Sequence, residues 1–306
     1  MPLAVESSTI DLDGPVHYLE FPGRHEGPTF VCLHALAAHH GTWMALAPLL
    51  AERGRVLVPD MPGFGLSPLA SRRATLAGHG QILDRFLEAT TDGPVVLVGN
   101  SMGGASAFLH ALREPARVQA MVLLAPAIAA TRVFMIDPRF IGLFAATVGP
   151  TRALQAAAHA LLAITPERYV VEMMRACTAD PTRVPQEVID ASIEIARTRL
   201  QHTSENVAAF VQAARSVTRF VLRPRRYLAM AREIQTRALL LLGDKDRLVP
   251  PLLAEPIIGA RPDWVLEVMN GVGHMPQIEA PATVAERIDA FLGDTRAAAT
   301  TRAVAG

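Results

Sequence analysis

Pro94-Val95-Val96-Leu97-Val98-Gly99-Asn100-Ser101-Met102-Gly103-Gly104-Ala105-Ser106-Ala107-Phe108-Leu109 is an apolar run that breaks into Gly-X-Ser-X-Gly and resumes as a helix-forming segment. The reading is a strand, a sharp turn occupied by one serine, and a helix, which is the arrangement of a nucleophile elbow. Side chains two residues either side of Ser101 would collide with so tight a turn, and glycine at 99 and 103 removes the collision. The serine is left projecting above the sheet, with the Met102 N–H directed at the same space.

Outward from this segment, the first half of the chain alternates strand-like and helix-like stretches. Val16–Phe21, Phe30–Leu33, Arg55–Val58, Val95–Val98 and Val118–Ala125 read as strands, and Trp43–Arg53, Leu76–Ala89 and Met102–Arg113 as helices. Unbroken Val/Leu runs between helices predict a mostly parallel central sheet covered on both faces, with its site at the carboxyl ends of the strands. From Ala127 to Ile234 the alternation stops. Helical patterns are expected over Thr151–Ala163, Pro166–Ala176, Pro185–Leu200 and Ser204–Val217. Strands return at Ala238–Leu242 and Trp264–Met269, and a helix closes at Ala282–Leu292. The expected organisation is a discontinuous α/β core, 1–126 and 235–306, with a helical cap inserted at 127–234. An independent domain is the alternative for the insert, though no Gly/Ser-rich linker flanks it. Residues from Thr295 onward are expected to be a frayed tail.

Lys+Arg and Asp+Glu balance at 29 each in 306 residues, so no basic field favours nucleic acid. Cys32 and Cys177 lie far apart, and Cys32 sits in an apolar run as a small buried hydrophobe. A reducing compartment and a cytoplasmic location are expected. Met1–Asp13 has no basic, apolar leader pattern. The most apolar segments, Ala120–Ala130 and Phe140–Pro150, are too short or too broken by proline for a membrane span.

A serine hydroxyl needs a base and an orienting acid to act as a nucleophile. Gly243-Asp244-Lys245-Asp246 follows one downstream strand, and Gly271-Val272-Gly273-His274 follows the next. The chain order Ser101, Asp246, His274 is the hydrolase order on a parallel sheet, with Asp244 as the rival acid. His39 and His40 stand in a polar loop without a further ligand set at metal spacing beside them, so no metal and no cofactor is expected.

With these motifs in view, the chain resembles the α/β-hydrolase superfamily from about residue 10 to 293. The resemblance is carried by Leu33-His34, Asp60-Met61-Pro62-Gly63-Phe64-Gly65-Leu66-Ser67, Gly99–Gly104, Gly243–Asp246 and Gly273-His274-Met275-Pro276-Gln277-Ile278-Glu279. It implies an α/β-hydrolase fold in which Ser101 attacks a carbonyl, His274 shuttles its proton and Asp246 orients the imidazole. The family's Gly-x-x-Asp spacing favours Asp246 over Asp244. It also implies an oxyanion hole made by the N–H groups of Met102 and Leu36, with Ala35 where the family usually has glycine. His34, Asn100 and Met275 flank these groups as candidate substrate contacts, and His34 alternatively braces the oxyanion loop. The loop from Asp60 to Ser67 either borders the pocket or is a structural turn in which Ser67 caps a helix.

A serine at the elbow disfavours the carboxylate chemistry of epoxide hydrolases and haloalkane dehalogenases. The leading expectation is hydrolysis of a small to medium apolar ester, because the insert is rich in Phe, Met, Leu and Ile. The elbow is also similar to that of hydrolases cleaving vinylogous diketones from aromatic ring fission. Those enzymes need a cation for the substrate carboxylate, for which Arg215, Arg219, Arg223, Arg225 and Arg226 are candidates or else a solvated face. A ligand receptor on the same fold is a third reading.

Overall fold

The structure is a computed structural model that describes residues 5–24, 26–129, 147, 149–152, 155–156, 159 and 164–294. Eight strands form one sheet in the order β1-β2-β4-β3-β5-β6-β7-β8. They are β1 (Glu6–Asp11), β2 (Pro15–Phe21), β3 (Phe30–Leu33), β4 (Val56–Pro59), β5 (Val95–Asn100), β6 (Val118–Leu124), β7 (Ala238–Gly243) and β8 (Val265–Met269). The first two run antiparallel, and every pairing from β4 to β8 is parallel.

The helices of the core are α1 (Ala47–Ala51), α2 (Leu76–Thr90) and α3 (Met102–Arg113). Four more whose full range is described lie between β6 and β7: α4 (Pro166–Cys177), α5 (Gln186–Arg199), α6 (Thr203–Val221) and α7 (Pro224–Glu233). The chain closes through α8 (Glu255–Ala260), α9 (Pro276–Glu279) and α10 (Pro281–Gly293).

The period-2 geometry of a strand divides these apolar runs between two cores. Val31, Leu33, Leu57, Val95, Leu97, Leu240 and Leu242 face α2, α3 and α7, where they meet Leu83, Phe86, Phe108 and Tyr227. Phe30, Cys32, Val56, Val96, Val98, Leu239 and Leu241 face α1 and α10, where they meet Leu50, Val284 and Ile288. All six residues of β5 are buried, as the sequence run demands. Full burial of each Val or Leu contributes about 1.5–3 kcal/mol.

The helices match the sequence expectation with adjusted ends, except at Trp43–Arg53. There a single helical turn at His40–Trp43 and the five-residue α1 replace one long helix. Pro48 stands at the start of α1 with no N–H to give. Four labelled elements were not expected: β1, a polar edge strand, α7, and the short helices α8 and α9. The expected helix at Thr151–Ala163 and the apolar residues Phe134, Met135, Ile136, Phe140 and Phe144 lie largely or wholly outside the described residues, as does the tail from Thr295. No described helix is long and apolar enough to cross a membrane.

Candidate active site

The chain leaves β3 toward β4 on one side and returns through β5 on the other, so a crevice opens beyond the carboxyl ends of β3 and β5. Ser101 stands at that end of β5 with φ 51° and ψ −111°. This backbone is strained for any residue bearing a Cβ. It persists because both sides of the turn are hydrogen-bonded. Ser101 N–H donates to Leu124 O at 3.1 Å, and Ser101 O accepts from Ala105 N–H and Ala127 N–H at 3.1 and 2.9 Å. A Cβ at Gly103 would fall on the Leu33 carbonyl, and one at Gly99 on the Gly103 carbonyl, so the turn closes only with glycine there.

Asp246 follows β7 by a tight turn and is 4% exposed. Its Oδ1 accepts from Leu248 N–H at 2.8 Å and Val249 N–H at 2.9 Å. Its Oδ2 accepts from His274 Nδ1 at 2.8 Å. That bond makes Nδ1 the protonated nitrogen and leaves Nε2 as a base, since an ionised carboxylate only accepts. Asp244 does something different. Its Oδ1 accepts from Gly271 N–H at 2.6 Å and its other oxygen pairs with Lys245 at 3.0 Å, which bends the loop that carries His274. The Lys245 hydrogen bond and the Gly271 N–H hold this carboxyl below the usual carboxylate range.

Ser101, His274 and Met275 line one cavity of about 320 Å³, together with Leu36, Asn100 and Met102. The N–H groups of Leu36 and Met102 donate to no hydrogen bond among the described residues. Ala35 does not take the left-handed conformation that glycine would favour; the left-handed residue of this loop is Ala37, with φ 60°.

One candidate contact needs correction. His34 is buried and does not line the cavity; its Nδ1 donates to Ala35 O at 2.8 Å and its Nε2 accepts from Met61 N–H at 3.0 Å. Burial lowers its pKa, which fits the neutral ring these bonds require. Through these two bonds it braces the loop. The Asn100 side chain reaches the cavity wall but is spent on protein: Nδ2 donates to Leu124 O and His274 O, both at 3.0 Å, and Oδ1 accepts from Gln277 at 3.2 Å.

In the Asp60 loop, the role expected of Ser67 is corrected. Ser67 caps no helix; its Oγ accepts from His17 N–H at 2.8 Å, and Thr75 caps α2. The sequence reading found no ligand set beside His40, yet the fold brings His17 from β2 and Asp60 to it. Asp60 Oδ2 accepts from His17 Nδ1 at 3.0 Å, His40 Nδ1 at 2.7 Å and Leu66 N–H at 2.9 Å, while Oδ1 accepts from His40 N–H at 2.7 Å. Burial alone would raise the Asp60 carboxyl, but the bonds from His17 and His40 outweigh it and hold the pKa far below the usual range. Four protein donors hold the Asp60 carboxylate, so the cluster fastens β2, the His40 turn and the Leu66 loop to one another. His39 does reach the cavity, where desolvation pushes its pKa down to about 3.

Helices α4 to α6 supply most of the remaining lining. Val170 and Met174 of α4 pack with Met275 on the His274 side, whereas Ala213, Val217 and Val221 of α6 pack with Met102 and Ala127 on the Ser101 side. The lining is mostly apolar. Sequence reasoning missed its one guanidinium among the described residues, Arg199 at the end of α5. Arg199 donates to Gly65 O at 3.1 Å and Gly63 O at 2.7 Å. None of Arg215, Arg219, Arg223, Arg225 and Arg226 lines the cavity; Arg215 instead donates to Thr147 O, Gly149 O and Thr151 Oγ1. An isolated Arg in a helical pattern carries no signal that it will face a cavity.

The model of the family described as alpha/beta hydrolase fold matches residues 28–281. The chain is similar to human monoacylglycerol lipase ABHD6, 24% identical over 272 residues that cover 87% of this chain and 75% of that protein. It is also similar to a 2-hydroxy-6-oxononadienedioate/2-hydroxy-6-oxononatrienedioate hydrolase of Cupriavidus pinatubonensis, 25% identical over 271 residues, 87% of each chain. Among solved structures, Cfl2 of Burkholderia cenocepacia superposes with a TM-score of 0.77 over 94% of this chain and 95% of its own, at 21% identity. That last likeness is one of fold.

Proposed function

The chain belongs to the alpha/beta hydrolase fold family, and from that premise we propose that it hydrolyses a small to medium apolar carboxylic ester through an acyl-enzyme on Ser101. The observation that carries this reading is the hydrogen-bonded His274–Asp246 pair, 2.8 Å apart, lining the same cavity as a serine held at φ 51°.

His274 Nε2 takes the Ser101 proton as Oγ attacks the ester carbonyl. The carbonyl oxygen becomes an oxyanion that accepts from the Met102 and Leu36 N–H groups. The tetrahedral adduct collapses, the C–O bond to the alcohol breaks, and the imidazolium returns the proton to the departing oxygen. Water then repeats the sequence on the acyl-enzyme and releases the acid. Asp246 holds the tautomer and stabilises the imidazolium.

Proton return requires the leaving oxygen to lie on the His274 side. The alcohol portion therefore occupies the space under α4 and α5, and the acyl chain runs under α6 beside Met102. The insert at 127–234 is accordingly a cap over the core, 1–126 and 235–306, that shapes both arms. Both cysteines are free thiols, which suits the reducing, cytoplasmic setting expected of the chain.

A series of p-nitrophenyl esters from acetate to dodecanoate tests the reading, run on wild type and Ser101→Ala in parallel. The expected result is turnover that falls by at least about 10⁴ in the variant. Turnover at the wild-type level in Ser101→Ala sinks the mechanism.

Arg199 supports a second reading. A guanidinium in an apolar cavity is what a carbon–carbon hydrolase needs for a substrate carboxylate, and the Cupriavidus relative is named for acting on such a diacid. Turnover of a 2-hydroxy-6-oxo-dienoate faster than any ester would select it.

A further inference from the structure

The loop carrying His274 has no regular structure between Met269 and Pro276, so its position is set by what its backbone bonds. His274 N–H donates to Cys177 O, the last residue of α4, at 2.7 Å. Its carbonyl accepts from Asn100 beside the serine. The third anchor is a carboxylate. Glu279 Oε1 accepts from Gly273 N–H at 2.9 Å, and Oε2 accepts from Ala179 N–H, two residues past α4, at 2.8 Å. Glu279 is 6% exposed, so neither bond is traded readily for water. The packing here has no slack: a Cβ at Gly273 would lie 2.6 Å from Ala179 N and 2.9 Å from both Cys177 O and Glu279 Oε1.

We propose that Glu279 is a positioning residue for the reaction, its carboxylate clamping the His274 loop to the end of α4 and so making the inserted helices set the placement of the catalytic imidazole. The inference rests on the triad assigned above. Asp246 fixes the ring's tilt through Nδ1, but the depth of Nε2 over Ser101 follows the backbone at 273 and 274. Both Ser101 Oγ and the leaving oxygen must be within reach of that one nitrogen, and a shift near 1 Å costs on the order of 10² in rate. Burial raises the Glu279 carboxyl above its ordinary pKa against the pull of the N–H groups from Ala179 and Gly273, a cost consistent with a site kept for position.

The test is Glu279→Gln, which keeps the shape but turns one acceptor into a donor facing an N–H. With p-nitrophenyl butyrate, kcat is expected to fall on the order of 10- to 100-fold with KM within about twofold of wild type. Glu279→Ala falls further. Ala179→Pro deletes the N–H on the α4 side and sets a ring carbon against Oε2, so it breaks the same bond and gives at least the same kcat loss; Thr178, at φ −103° and ψ 153°, already has the backbone a following proline requires. Melting temperatures are recorded for each. A folded Glu279→Gln with kcat within twofold of wild type overturns the proposal, even if its melting temperature drops. So does a KM increase at constant kcat. Ser101→Ala is run alongside: if it retains turnover, the triad reading fails and the clamp with it, whereas Ser101-dependent turnover indifferent to Glu279 and Ala179 refutes the clamp alone.

Discussion

A non-glycine residue in the conformation of Ser101 costs of order 1–3 kcal/mol, and the turn keeps it through three backbone hydrogen bonds. The same physics separates the two acids. Asp246 has both oxygens committed to orienting His274 and to its own turn, while Asp244 bends the neighbouring loop from a more exposed site. Asp246→Asn is expected to lower kcat by about 10³–10⁴, since it leaves the imidazole in the wrong tautomer. Asp244→Asn is expected to cost less than about tenfold and mainly to loosen the loop. Steady-state kinetics on both variants checks the ranking, and the reverse order would move the acid's role to Asp244. At this scale Ser101, Asp246 and His274 were legible as candidates because each follows a strand, and the fold brings the last two within 2.8 Å of each other. It could not show that His17 reaches Asp60, because the two lie 43 residues apart and pair only when β2 lies beside β4. Nor could it show that the second nitrogen of His34 is spent on Met61.

The elements that were legible are those whose burial is complete. β3, β4, β5 and β7 are buried along their whole length and read as continuous apolar runs. β1 escaped notice because it is an edge strand, Glu-Ser-Ser-Thr-Ile-Asp, with mostly exposed residues and a hydrogen-bonded partner only in β2. α7 escaped because its buried residues are few, Tyr227 and Ala231, set among arginines. The inserted helices were visible as a break in rhythm, but a helical period does not say which apolar face meets the core and which lines a cavity. α6 does both: Ala209 and Ala213 pack on the core, while Phe210, Ala214 and Val217 line the cavity. Val217→Phe is therefore expected to shorten the acyl arm, shifting the preferred p-nitrophenyl ester by at least two carbons and lowering kcat/KM for dodecanoate more than tenfold while sparing acetate. Equal effects on all chain lengths would place the acyl group elsewhere.

Over the whole molecule, the parallel sheet delivers Ser101, Asp246, His274 and the Leu36 loop from four different strands to one edge. No two of those strands are joined by a short turn, so the site exists only when the sheet is complete. The fold class and the mostly parallel character of the sheet were legible because hydrophobic runs of strand length alternate with helical stripes. Which loops tie the sheet together was not, because ties such as Asp60 are made by polar side chains whose partners are distant in sequence. Asp60 joins β2 and the His40 turn through buried bonds and the Leu66 loop through a partly buried one. Its pKa is depressed on folding, so its stabilisation is complete above the unfolded value near 4 and is lost as pH falls from there toward the folded pKa. Asp60→Asn is expected to cost about 3 kcal/mol at pH 7, leaving buried donors unpaired, with the gap in melting temperature to wild type narrowing below pH 4. A gap that is constant with pH would show that the charge is not what matters. The central claim is covalent chemistry at Ser101, and its most direct measurement is mass spectrometry of the protein quenched during turnover of a p-nitrophenyl ester. The account predicts one acyl adduct, mapped to the peptide containing Ser101 and absent in Ser101→Ala. Sustained turnover with no adduct, or an adduct on another residue, would contradict it.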